Sequence, residues 1–145
     1  VRGRDVIRVP SYQRRASGCI IVSREPGDPT ETVARILRLA YADYRQPGAK
    51  LGVRIDIALW AEALHERRIA KLLAASAAAA LEAIAGALAE AEGVKPRNRH
   101  TTRARLIGAL IVGVAVQWHA DPSFEPASLA AATVALAPAL AEATS

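Results

Sequence analysis

The run from Arg67 to Glu92, "RRIAKLLAASAAAALEAIAGALAEAE", constrains this chain more than any other stretch. Alanine loses no side-chain entropy on entering a helix and has the highest helix propensity, and no proline interrupts the run. The reading is one long helix whose larger apolar residues are few: Ile69, Leu72, Leu73, Leu81, Ile84 and Leu88. Small side chains on such a rod let neighbouring helices approach closely. Gly93 supplies a C-cap and Pro96 prevents continuation. The whole chain follows this pattern, with 52% apolar residues but only 4% aromatic ones. An interior of alanine and leucine favours packed helices over a sandwich built on β-branched and aromatic residues. At 145 residues the chain is long enough for one domain with a real core.

Other helices flank this one. "DPTE" is a helix start, with Asp28 as N-cap, Pro29 at the first position and Glu31 completing a capping box. Val33, Ile36, Leu37, Ala40, Tyr41 and Tyr44 then share one face until "RQPG" ends the helix near Arg45. From Lys50 to Leu64 the stripe Val53, Ile57, Trp60 and Leu64 predicts a second helix, with Arg54, Asp56 and Glu62 off it. "HERR" breaks the pattern before the alanine run. "KPRNRHTTR" reads as a basic connection, with Thr101 or Thr102 capping a helix to about His119. The final helix is expected from Pro126 to Glu142, with Leu129, Thr133, Leu136 and Leu140 on its stripe and Pro138 kinking it or loosening its end. Residues 1–27 differ from the rest: "VIRV" and "CIIVS" are candidates for a short strand pair.

Charge separates the same two parts. Six arginines against Asp5 and Glu25 put +4 of the net +5 in residues 1–25, leaving a nearly neutral body. The domain division is therefore a basic arm, residues 1–27, and a helical domain, residues 28–145. Cys19 excludes an internal disulfide framework and fits a reducing cytoplasm. His65, His100 and His119 lack metal-ligand spacing, and no nucleophile elbow, phosphate loop or carboxylate pair in an apolar setting appears. Neither an enzyme nor a cofactor is expected. "LIGALIVGVAVQW", residues 106–118, is too short to span a bilayer and reads as a buried helix, so no membrane partner is expected. Because it is apolar on nearly every side, it needs cover on more than one face, which a second copy of the chain would supply.

The expectation is thus an all-α bundle of about five helices that forms a homodimer. The order "DPTETVARILRLAYADY", "LGVRIDIALWAEALHERRIAKLL", then "LIGALIVGVAVQWHADPSFEPASLAAATVALAPAL" resembles the C-terminal regulatory domain of TetR-type transcriptional repressors, over roughly residues 28–142. "LWAEAL" and "GVAVQWHADP" are its most specific pieces. The resemblance implies a ligand pocket among the helices at 30–45, 50–64, 67–92 and 102–119, lined by Leu37, Tyr41, Ile57, Trp60, Leu64, Leu73 and Gln117. It implies a small, largely apolar effector there. It also implies a dimer face built from Leu106, Leu110, Gly113, Val114, Leu129, Thr133, Leu136 and Leu140. Effector binding would shift the helices and release DNA. Residues 1–27 carry no recognition-helix pattern, so DNA contact would require a reader segment not seen in this chain. The alternative is a dimeric helical interaction module without DNA-binding or ligand-binding activity.

Overall fold

A computed structural model describes residues 27–121 and 123–143. The arm and its expected strand pair lie outside the described residues, apart from Gly27. Six helices follow in chain order: α1 Pro29–Ala42, α2 Ala49–Ala63, α3 Arg67–Ala91, α4 Asn98–Ala120, α5 Pro126–Val134 and α6 Ala137–Glu142, with a 3-10 turn at Asp43–Arg45 after α1. The fold is all-α, and among the described residues there is no strand.

Helix α1 begins as its sequence requires. The Asp28 carboxylate accepts from the Thr30 amide at 2.9 Å, satisfying one of the amides left free in the first turn. Glu31 does not close a capping box; it reaches along the helix to pair with Arg38 at 2.8 Å on the surface. On the opposite side Val33, Ile36 and Leu37 are fully buried. They meet Ile84 and Leu88 of α3, Ala104 and Ile107 of α4, and Ala137 and Ala141 of α6 in one core. Helix α1 is therefore the central element, packed against α3, α4, α5 and α6.

Helices α3 and α4 form the most extensive pair. At Gly108 the approach is close, with Leu81 Cδ2 3.4 Å from where a β-carbon would stand. Between them the chain reverses through a Schellman turn. Gly93, at φ +68°, donates to the Glu90 carbonyl at 2.9 Å, and Val94 donates to Ala89 at 2.9 Å. Only glycine adopts that left-handed conformation without a steric cost. Gly93→Ala should lower the unfolding free energy by about 1 kcal/mol, read as a shifted urea midpoint at unchanged slope.

Two boundaries differ from the sequence expectation. Helix α4 starts at Asn98, not at Thr101 or Thr102, because the His100 ring caps it: Nδ1 accepts the Arg97 amide at 2.9 Å. The expected final helix is two helices. Pro138 cannot donate to the carbonyl one turn before it, and its ring crowds that carbonyl, so the chain breaks at Ala135–Leu136 and restarts with Pro138 in the first turn of α6.

Candidate functional site

The first candidate is a buried polar cluster where α3 ends and α4 begins. Glu92 accepts from the guanidinium groups of both Arg99 and Arg103, and its Oε2 lies 3.1 Å from His100 Nε2. His100 is fully buried and Arg103 almost so. Since His100 Nδ1 already accepts the Arg97 amide, the ring proton sits on Nε2 and is donated to Glu92. The 3.4 Å approach of Arg99 Nε to the same nitrogen is consequently a contact and not a hydrogen bond. Arg103 also donates through Nε to the Ala143 carbonyl at 2.7 Å, fastening the end of the fold to this corner. Burial pushes the Glu92 carboxyl up, but its bonds from His100, Arg103 and Arg99 outweigh that and hold it at about 2. The Glu92 carboxylate, the His100 ring and the two guanidinium groups serve one another, so the cluster is a structural clamp. In the sequence "KPRNRHTTR" reads as a basic connection; the signal for this cluster is Arg99, His100 and Arg103 sharing one helical face.

The expected pocket residues do not share one enclosed space. Leu37 is sealed in the core and Tyr41 is buried beside it. The Tyr41 hydroxyl makes only a loose approach to Thr133, which itself donates to the Leu129 carbonyl. Burial raises its pKa, and Thr133 offsets part of that rise. Ile57 and Leu73 are half-buried, while Gln117 is exposed. Trp60 is 37% exposed and Leu64, at the tip between α2 and α3, is 81% exposed. The expected stripe on α2 is covered only toward its start. Val53 is covered and Asp56 is half-buried, its carboxyl pushed up by burial. Trp60 is thus neither core filler nor the wall of a closed pocket.

A different aromatic group was only partly anticipated. Tyr44, just past α1, donates to the Ile111 carbonyl of α4 at 3.0 Å, and its ring meets Trp118 edge-on at 5.3 Å and Tyr41 at 5.8 Å. Lys50 Nζ lies over Trp118, 5.9 Å from the ring centre. These contacts lock the two ends of α1 and α4 together near the start of α2.

The expected dimer residues divide clearly. Val114 and Thr133 are buried inside the single chain and belong to its own core. Leu110, Gly113, Leu129 and Leu140 are half-buried, and Leu129 and Leu140 pack against that core. Leu106 is 43% exposed, and Val112 and Val116 on the same face are 40% and 42% exposed. With exposed Ala109 between them, they form a ribbon at spacings of three and four along the outer side of α4. No charge interrupts it from Leu106 to Trp118, and a β-carbon on Gly113 would meet nothing within 4 Å. Leu136, exposed at the α5–α6 break, is a further apolar side chain facing solvent.

The residues 106–118 are not the most membrane-like helix. By length and composition α3, Arg67–Ala91, is apolar enough to cross a bilayer, with a mean hydropathy of 1.8. Its C-terminal part is spent on the core, through Ile84, Ala85, Ala87, Leu88 and Ala89. Among the described residues no group of three or more metal-binding side chains occurs. No family model, curated protein or solved structure matches this chain.

Proposed function

We propose that this chain is a dimerising regulatory bundle of the TetR type, and that the outer ribbon of α4 is the face between two copies. The observation that carries this reading is the uncharged, exposed line Leu106–Ala109–Val112–Val116 on a helix otherwise held in the core. Apolar side chains on one face at helical spacing gain by being covered, and a second copy brings the same face to meet them. In this reading an effector that favours one arrangement of α1, α2 and α3 against the paired α4 helices changes the geometry presented by whatever precedes α1. DNA release then depends on a reader segment joined to the bundle.

A plain interaction module is the second reading. It is favoured by the placement of the expected pocket residues, with Leu37 sealed in the core and Trp60, Leu64 and Gln117 reaching solvent. Native mass spectrometry on the full chain separates the possibilities. At low concentration a species of twice the 15.3 kDa chain mass is expected for wild type, and Val112→Asp should reduce it at least tenfold by placing a charge in the ribbon. A reproducible small-molecule adduct on the dimer supports effector sensing, whereas a bare dimer supports the interaction module. A wild type dimer indifferent to Val112→Asp and Val116→Asp would overturn the ribbon as the interface.

A further inference from the structure

Helix α3 has a second exposed face, separate from the ribbon. Arg68, Ala75 and Glu82 are all exposed and stand seven residues apart, so they lie on one line along the helix. Lys71, Leu72, Ala78 and Ala79 flank that line and are exposed as well, Leu72 at 60%. The opposite side of the helix carries Leu81, Ile84 and Leu88 toward α1 and α4. The outer line is basic at its start, small and apolar through its middle, and acidic at its end.

That order is complementary to itself only in the antiparallel sense. We propose that α3 pairs antiparallel with α3 of another copy about a two-fold axis at Ala75. Arg68 then opposes Glu82 of the partner subunit, and the symmetry repeats the pair on the other side of the axis. Leu72 falls against Ala78 of the partner subunit, and the alanines at the axis let the two helices approach at the short end of the usual 8–10 Å range. A parallel pairing sets Arg68 against its own copy and Glu82 against its own copy, two repulsions in place of two attractions. The area supports a contact of this kind. The ribbon on α4 runs about 15 Å along a helix roughly 10 Å wide, on the order of 150 Å², against the about 800 Å² per partner of a standard stable interface. The ribbon alone is small for a durable assembly, and the α3 face adds a comparable area. Since the two faces use different residues, ribbon dimers can join through α3, and the first product of that joining is a tetramer.

Sedimentation velocity over a range of concentrations tests this on the full chain. Wild type should pass from dimer to tetramer as concentration rises. Arg68→Glu and Glu82→Arg each turn both attractive pairs repulsive and should weaken tetramer formation about tenfold, leaving the dimer. The double variant Arg68→Glu/Glu82→Arg restores the pairs and should restore the tetramer. These side chains are exposed, so unchanged helical ellipticity is expected throughout. Val112→Asp removes the ribbon contact and should leave a chain that is monomeric at low concentration and pairs through α3 only in the range where wild type forms tetramers. That pairing should still respond to the two charge reversals, which separates failure of the ribbon from failure of this face. Charge reversals without effect, a double variant that does not recover, or a Val112→Asp chain that stays monomeric at all concentrations would overturn the α3 pairing.

Discussion

Glu92→Ala should be among the most damaging single substitutions in this fold, lowering the unfolding free energy by roughly 3 kcal/mol. The loss is not confined to one bond. Arg103, nearly sealed from water, keeps its charge and loses the carboxylate it pairs with, and the His100 Nε2–H loses its acceptor inside the protein. Glu92 itself retains some exposure at its side chain, which places the effect at the lower end of the range for a buried pair. The pH dependence follows from the same contacts. Glu92 in the folded chain titrates at about 2, below its ordinary value of 4.5. A group whose folded value is depressed contributes its full stabilisation above the unfolded value and loses it as pH falls toward the folded one. This contribution should therefore be constant from neutral pH down to about 5, then decline between about 4.5 and 2. Urea denaturation across that window checks it. Glu92→Gln should remove the Glu92 part of the slope while leaving that of other carboxylates.

The second large effect is expected at Leu37. It has no exposed surface and sits between Val33, Ile36 and the α3–α4 pair. Leu37→Ala should cost about 2–5 kcal/mol, through lost burial and the cavity left in a rigid surround. A residue lining an open binding pocket would lose far less on truncation, because solvent already occupies its free side. Leu64→Ala is the matched comparison: at the exposed tip between α2 and α3 it should shift stability by no more than about 0.5 kcal/mol. Chemical denaturation of both variants distinguishes core from pocket wall at these two positions.

The helices were legible because their signals are local. Asp28 and Pro29, the glycine at 93, and the apolar faces of α1 and α3 lie within a turn or two of the structure they specify. The capping role of His100 is not legible in the sequence, for the opposite reason. Its two partners are an amide three residues back and a carboxylate at the end of the preceding helix, and a string such as "KPRNRH" looks like a solvated loop until that carboxylate is placed. The stripe on α2 shows the same limit. Periodicity identified Val53, Ile57, Trp60 and Leu64 as one apolar line, but periodicity does not record how far the covering helices extend. Val53 is covered, and the same line runs out into solvent at Leu64. The candidate interface was legible in kind, since residues 106–118 carry no charge at all. The individual side chains sorted only once α1 and α6 were seen to claim the inner face, taking Val114 inward and leaving Val112 and Val116 outside.

One consequence of the topology concerns how the chain reaches this state. The earliest helix described, α1, finds its cover in the very last, α6, and Arg103 waits for a carbonyl forty residues further on. An up-and-down bundle can add each helix to its neighbour as it forms. Here the cover of α1 is complete only when residues 137–143 arrive, so a growing or truncated chain carries an open seam along α1. Closing that seam brings together segments about a hundred residues apart, which places folding on the slow side for a helical protein of this size.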